Sequence, residues 1–341
     1  MPQGLPADIA VLTLPTPFPV GDVNCYLIKG DVPTLVDTGP ATAEARQALE
    51  EGLHREGLSL SDLRQVVITH AHVDHYGQAA MLQDAGATLL AHPHATEPVA
   101  EPESYRQWRR AFYERFYREA GLGREATVLA GRYDLMTRRW ARPARVDRQV
   151  DDGQEIVAGN SSWQVLYLPG HSVTQIGLYR ERDRVLVAGD HLLAHISSNA
   201  FIEPVPGSPD RPQSLLTYRL ALMRLLTLDV DVVLPGHGRR VVDHVELVKR
   251  RLGFHEERAA LIHRLIQSHP ATAAALAAEV FPHLKPDAVA LAISEIVGHL
   301  DLLVERGLVS ATPAGDAVMY HATRDERGGM PGQTHHDEAA F

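Results

Sequence analysis

The sequence predicts an α/β fold for most of the chain, followed by a smaller domain of three helices and a β-hairpin. Short apolar, β-branched runs alternate with amphipathic helical segments up to about residue 250, which is typical of a layered α/β arrangement. From about Phe254 the pattern changes to three successive helical segments and two short strands. These observations predict one domain over residues 1–250, a second over 251–323 and a disordered tail over 324–341.

The elements of the first domain follow from hydrophobic periodicity. Strands are predicted where apolar runs are short and β-branched, and helices where apolar side chains recur every three or four residues. The predicted strands cover residues 9–14, 23–28, 34–36, 66–69, 88–91, 163–168, 176–179, 184–188 and 230–234. The predicted helices cover residues 41–57, 76–85 and 211–227.

Residues 101–148 interrupt this alternation with a helical insertion. It holds 12 arginines against 7 acidic residues, in a chain whose net charge is −10. Its aromatic residues fall at helical spacing and form one stripe, namely Tyr105, Trp108, Phe112, Tyr113, Phe116 and Tyr117. One interpretation is that the stripe is core. The other is a lid whose apolar face meets an acyl chain and whose arginines meet a carboxylate or phosphate.

Composition excludes several classes of protein. Cys25 is the only cysteine among the 341 residues, so neither an intramolecular disulfide nor a thiolate metal cluster can form. The first residues lack the pattern of a signal peptide, and no run of about eighteen apolar residues appears. We therefore expect a cytoplasmic protein without membrane contact. The net negative charge disfavours nucleic acid as a partner.

Four candidate metal ligands lie in the stretch VVITHAHVDHYG, residues 66–77. His70, His72, Asp74 and His75 follow directly after a buried strand. Crowding of this kind is rare by chance, whereas imidazole and carboxylate groups are the ligands that Zn²⁺, iron and Mn²⁺ accept. The stretch therefore predicts a metal site at the end of this strand.

Three further strands also end in a candidate ligand. Each runs into a glycine, and the next residue is His171, Asp190 or His237. Glycine permits the sharp turn that exposes the following side chain, and strand ends are where α/β sheets build their sites. Seven ligands are too many for one tetrahedral ion and suit two ions with open positions for water. The cofactor expected is therefore a pair of divalent ions, zinc first, with iron or manganese as alternatives.

The motifs T-H-A-H-V-D-H, P-G-H-S, A-G-D-H and P-G-H-G, in this order, resemble those of the metallo-β-lactamase superfamily. The segments N-C-Y-L-I and L-V-D-T-G are similar to that family as well, so the resemblance covers about residues 9–245. It implies a four-layer αββα sandwich with the site at one edge of two sheets. The C-terminal helices and hairpin resemble the winged-helix domain that follows some hydrolases of this fold.

The resemblance also implies a role for each candidate ligand. His70, His72 and His171 would hold the first metal. Asp74, His75 and His237 would hold the second, and Asp190 would bridge the two. Asp74 and Asp190 are the catalytic candidates. Asp190 would bridge the two ions, and Asp74 can accept a proton as well as bind metal. Asp37 is expected to orient the ligand loop, and His191 and His195 to lie near the site or the substrate.

The function implied is that of a dinuclear metal-dependent hydrolase, in which a hydroxide between the ions attacks an ester-like bond. The expected substrate is a moderately lipophilic small molecule, as a lactone, a thioester or a carboxylic ester. Two alternatives are a winged-helix-bearing nuclease that acts on RNA and a single-iron enzyme similar to persulfide dioxygenases. Residues 254–322 hold 8 acidic and 4 basic side chains, which disfavours the nuclease. The C-terminal domain is then expected to flank the site or to form a homodimer contact.

Overall fold

The structure is a computed structural model and describes residues 5–323, so the tail predicted over 324–341 lies outside the described residues. A six-stranded sheet comes first and keeps chain order. Its strands are β1 (Ile9–Leu14), β2 (Val23–Ile28), β3 (Thr34–Val36), β4 (Gln65–Val67), β5 (Thr88–Ala91) and β6 (Arg148–Gln149). The first three strands pair antiparallel and the later pairings are parallel.

The second sheet has five strands in the order β11-β10-β9-β8-β7. They are β7 (Glu155–Ala158), β8 (Ser161–Tyr167), β9 (Ile176–Arg180), β10 (Val185–Gly189) and β11 (Val232–Pro235). All pairs are antiparallel except β10 with β11.

Six strands are buried along their whole length, because each sheet lies between the other sheet and a layer of helices: β2, β3, β4, β9, β10 and β11. In β10, Val185 and Val187 face the first sheet, whereas Leu186 and Ala188 face helices. Side chains alternate between the two faces of a strand, so a strand covered on both sides is apolar throughout. This arrangement confirms the mixed α/β sandwich with its two sheets and outer helices.

The helices divide between the two outer faces of the sandwich. Residues of α1 (Ala43–Arg55), α2 (Val73–Tyr76), α3 (Ala79–Asp84) and α4 (Thr96–Ala100) pack on the first sheet. Those of α5 (Glu103–Glu119), α6 (Glu125–Trp140), α7 (Ser214–Leu225) and α8 (His244–Ser268) contribute to the core on the second sheet. The insertion is thus a helical hairpin, α5 and α6.

The C-terminal part contains α9 (Ala273–Val280), α10 (Val289–Glu305) and the hairpin β12 (Val309–Ala314) and β13 (Ala317–Ala322). Three helices and a hairpin were expected, and these elements are present. Their apolar residues join the core of the second sheet, where Ile262 and Leu300 belong to the same cluster as Leu186. Helix α8 runs through the predicted boundary at residue 250. The winged-helix assignment and the domain boundaries remain predictions.

Within residues 5–323, no helix combines the length and the apolar character that crossing a membrane would require.

Candidate metal centre

All seven predicted ligands lie at one edge of the sandwich, where β4, β8, β10 and β11 end. The ligand loop, residues 70–75, follows β4 of the first sheet. His171, Asp190 and His237 follow β8, β10 and β11 of the second sheet. The site therefore exists only where the two sheets meet.

One group of ring nitrogens belongs to His70, His72 and His171. The Nδ1 atom of His72 lies 3.0 Å from Nε2 of His70 and 3.1 Å from Nε2 of His171. Three imidazole nitrogens at such distances can coordinate one cation.

A second group joins Asp74, His75 and His237. The Nε2 atom of His237 lies 3.4 Å from Oδ2 of Asp74, and the Nε2 atom of His75 lies 4.0 Å from Oδ1 of Asp74. These three side chains form a separate cluster of possible ligands.

Asp190 lies between the two groups. Its Oδ2 atom is 3.7 Å from Nε2 of His171, 3.6 Å from Nε2 of His75 and 3.5 Å from Nε2 of His237. One carboxylate therefore faces nitrogens of both clusters, which is the position predicted for a bridging ligand.

Each imidazole is oriented by a partner on its other nitrogen. The Nδ1 atoms of His171 and His237 lie 3.0 Å and 2.8 Å from the backbone oxygens of Asn199 and Asp22. A carbonyl oxygen only accepts, so each Nδ1 carries the proton and each Nε2 is left as a lone-pair donor to a metal. Outer partners of this kind fix the tautomer that metal binding requires.

Asp37 holds the ligand loop in place. Its carboxylate accepts hydrogen bonds from the backbone N–H and the hydroxyl of Thr69, and a third from Nδ1 of His75, each at 2.8 Å. Asp37 is buried and adopts a left-handed backbone conformation with φ of 61°, which is unfavourable for residues other than glycine. The structure thus places Asp37 as an orienting residue beside the metal ligands.

Glu203 is a functional residue that the sequence analysis missed. Its Oε1 atom lies 2.8 Å from Nε2 of His72, so His72 turns Nδ1 toward the other imidazoles. Its Oε2 atom accepts a hydrogen bond from the Ser172 hydroxyl at 2.6 Å. The sequence shows only a glutamate between Asp190 and the next helix, and no motif marks it.

Burial and charge act against each other at these groups. Burial alone would raise the pKa of Asp190, but His75 and His237 lower that pKa well below its usual range. Burial alone would lower the pKa of His72 and His75, but Glu203 raises the first and Asp190 and Asp37 raise the second. Carboxylates that attract a proton to these rings attract a divalent cation in the same way.

The two remaining pKa shifts in the first group have a common cause. Burial and the neighbouring histidines lower the pKa of His70 well below its usual value and that of His171 to about 4. Both rings are therefore neutral near pH 7, which is the form that binds metal.

Several buried polar atoms at the centre have no hydrogen-bond partner within the described residues: Nε2 of His75, Nε2 of His237 and Oδ1 of Asp190. Buried groups of this kind cost free energy unless they are satisfied. A cation would be coordinated by the two ring nitrogens and the Asp190 carboxylate, so the donor set fits a divalent metal. The His and Asp clusters therefore form a divalent metal-binding centre.

The glycines before the ligands act in two different ways. Gly170 and Gly189 have φ of 135° and 50°, so their turns use the conformational freedom of glycine. Gly236 does not have a positive φ, but a Cβ atom there would collide with the carboxylate of Asp190 and the ring of His75. At Gly236 the requirement is space beside the metal ligands.

His191 and His195 lie in different surroundings. The His191 side chain is buried edge-on against the Tyr218 ring, at 5.1 Å between centroids, and is not among the converging ligands. His195 is exposed, and its ring lies over Gly238, next to His237. Of the two, only His195 is exposed and lies beside the residue that follows a proposed ligand.

The insertion contributes aromatic side chains both to the core and to the region around Glu203. Phe112, Phe116 and Tyr117 belong to the core on the second sheet. Burial raises the pKa values of Tyr105 and Tyr133; Arg109 lowers both, and the Glu203 carboxylate raises both.

Five of the twelve arginines of the insertion pair with acidic side chains inside it. Arg109 is 2% exposed and binds Glu101 and Asp134, and Arg118 binds Glu114. These contacts occupy arginines that the lid interpretation assigned to a substrate anion.

Two sheets between helices, with a metal centre of histidines and aspartates at one edge, define a metallo-hydrolase. The family model described as "Metallo-beta-lactamase superfamily" matches residues 18–237. The chain belongs to the metallo-β-lactamase superfamily.

Three relatives illustrate the range of similarity. "Probable metallo-hydrolase YqjP" of Bacillus subtilis is 32% identical over 317 residues, covering 92% of this chain and 97% of that protein. The crystal structure of the metallo-beta-lactamase family protein TTHA1429 from Thermus thermophilus has a TM-score of 0.80 at 27% identity, covering 94% of this chain and all of that one. "Thioesterase pkgB" of Emericella nidulans is 22% identical over 247 residues, which is 72% of this chain and 54% of that protein.

Replacing Glu203 with glutamine should weaken metal binding by about 10–100-fold, because His72 loses the charged partner that orients it. The measurement is the metal dissociation constant by competition with a chelator. Glu44→Gln, on the exposed side of α1, should leave that constant unchanged. Equal affinities for the two variants would contradict the role assigned to Glu203.

Gly236→Ala should abolish metal retention, since the added methyl group occupies the space of Asp190 and His75. The matched control is Gly253→Ala within α8, where an added Cβ meets no atom within 4 Å and should stabilise the helix by about 0.5–1 kcal/mol. Metal content after gel filtration, measured by mass spectrometry, tests both. A fully loaded Gly236→Ala variant would show that the close approach is not required.

Proposed function

We propose that the protein is a dinuclear metal-dependent hydrolase that cleaves an ester-like bond of a moderately lipophilic small molecule. The observation that carries this proposal is the position of Asp190, whose Oδ2 atom lies within 3.7 Å of nitrogens from both clusters. In this proposal His70, His72 and His171 hold one ion, and Asp74, His75 and His237 hold the other. Zinc is the proposed metal, because neutral imidazole and carboxylate ligands without thiolate suit it.

Two divalent ions bound here would supply an activated water as nucleophile and stabilise the charge that develops on a substrate oxygen. The chain itself supplies orientation and proton acceptance. Asp74 is 13% exposed, against 8% for Asp190, so Asp74 is the carboxylate placed to accept a proton from the solvent side. Phe201 packs edge-on against His72 and His171, at 5.1 Å and 5.5 Å, and offers an apolar surface beside these ligands.

A thioester is the substrate class that we favour. The relative from Emericella nidulans is named a thioesterase, and the apolar and phenolic side chains around Glu203 and Phe201 suit an acyl group. Lactones and carboxylic esters share the same carbonyl chemistry. In keeping with the net negative charge, we propose a small-molecule substrate and no nucleic acid.

Asp190→Asn should lower kcat by about 10²-fold or more on the preferred substrate, because the carboxylate between the clusters loses its charge. The measurement is hydrolysis of a panel of acyl thioesters, lactones and p-nitrophenyl esters, together with the metal content per chain. Asp84→Asn, on the exposed end of α3, is the control and should match the unmodified protein.

The same assay separates the alternatives. Two equivalents of metal and hydrolysis that depends on Asp190 support the proposal. One equivalent of iron with oxygen-dependent turnover of persulfides would replace it with the dioxygenase, and cleavage of RNA without ester hydrolysis would replace it with the nuclease.

We also propose that α5 and α6 form a lid over the substrate, with Tyr133 as a contact. Removing only its hydroxyl, in Tyr133→Phe, should raise KM by about 3–10-fold through loss of one hydrogen bond, with kcat and metal content nearly unchanged. Tyr117→Phe is the matched control, because Tyr117 is buried in the core on α5 and only burial shifts its pKa. If the two variants have the same KM, the insertion does not contact the substrate through Tyr133.

A further inference from the structure

A cavity of about 520 Å³ lies between the C-terminal helices and the segment that follows β10. Helices α8 and α10 and residues 197–200 line it. Ser198 belongs to this lining, and its hydroxyl oxygen lies 3.1 Å from Nδ1 of His171. Nε2 of His171 faces the other proposed ligands and Nδ1 faces away from them. The cavity therefore approaches the metal centre on the Nδ1 side of His171.

Two buried histidines line the cavity and are not used by the metal centre. His255 and His299 are 6% and 2% exposed. Nδ1 of His255 and Nε2 of His299 have no hydrogen-bond partner among residues 5–323. Buried polar atoms are normally satisfied, so this pair of unpartnered nitrogens makes the cavity a candidate ligand site.

The hydrogen-bonding character of His299 is defined by its other nitrogen. Nδ1 of His299 lies 2.7 Å from the backbone oxygen of Glu295 and therefore carries the proton. Burial lowers the pKa of His299 and lowers that of His255 to about 3, so both rings are neutral. Nε2 of His299 consequently accepts a hydrogen bond and cannot donate one.

The other polar side chains that line the cavity indicate the charge and the hydrogen-bonding groups of its ligand. The Ser294 hydroxyl oxygen accepts from the backbone N–H of Ile202 at 3.4 Å, so its own proton is free to donate. Glu257, Glu295 and Arg258 also line the cavity and give it a net negative charge. This balance disfavours an anion. A molecule with both a donor and an acceptor, such as an amide or an alcohol, fits His299 and Ser294 together.

We propose that this cavity is a second ligand site, for an uncharged small molecule that carries amide or hydroxyl groups. Leu215, Phe254 and Leu261 line it as well and would contact the carbon chain of the ligand. The volume lies within the range of small-molecule sites. Because Ser198 touches both the cavity and His171, a ligand there is one side chain away from the metal centre. The proposal holds whichever bond the metal centre hydrolyses.

Calorimetric titration of the metal-loaded full chain with two matched probes tests the proposal. Panthenol is uncharged and carries one amide and three hydroxyls, and pantothenate differs from it by a carboxylate in place of one alcohol. We expect a Kd of about 1 mM for panthenol and binding weaker by at least about tenfold for pantothenate. No heat of binding from panthenol up to about 10 mM would mean a cavity filled by water only and would overturn the proposal. Tighter binding of pantothenate would overturn the ligand class.

Two variants test whether panthenol binds in this cavity. His299→Phe should abolish panthenol binding, and Leu261→Trp, which fills the space from the rim, should do the same where His299→Phe fails to fold. His54→Phe is the control, because His54 is exposed on α1 and lines a different, shallow cleft. Retention of panthenol binding by a folded His299→Phe or Leu261→Trp variant would refute the assignment to this cavity.

Discussion

The carboxylate of Asp37 is the constraint on which the metal centre depends. It lies just after β3 and fixes the neighbouring loop after β4 through Thr69 and His75. Four candidate ligands lie on that loop, so one buried side chain fixes the position of the loop that carries them. The left-handed backbone of Asp37 is unfavourable in isolation, and three hydrogen bonds to the carboxylate offset that cost.

The segment after β10 provides further hydrogen-bond partners for the proposed metal ligands. Asn199 orients His171 and Glu203 orients His72, so residues 199–203 carry outer partners for ligands of both sheets. The same segment is tied to α10, where the Asn199 amide donates to the backbone oxygen of Leu291. The C-terminal helices are therefore coupled to the metal centre through a short stretch of chain, although none of their own side chains is a proposed ligand.

Much of this could be predicted from the sequence, because local signals were strong. The strands at 9–14 and 23–28 and the seven residues that converge were identified from apolar runs and from histidines after strand ends. Strands β6 and β7 were missed, since β6 has two residues and β7 has four, of which two are exposed. Glu203 could not be found, because its role depends on a contact with His72 across 131 residues. The aromatic stripe of the insertion had two interpretations, and packing on the C-terminal helices, which no local pattern encodes, places much of it in the core.

The origin of the ligands in two sheets has a consequence for the lifetime of the folded chain. The proposed ligands extend from residue 70 to residue 237, and neither cluster is complete on one sheet, because His171 and His237 follow strands of the second sheet. A complete cluster therefore exists only once the two sheets have joined, and a metal ion binds tightly to that state. Its free energy of binding stabilises the state in which the sheets are joined, and a folding transition state in which they are not yet joined gains nothing from it. We therefore expect bound metal to slow unfolding and to leave the folding rate almost unchanged.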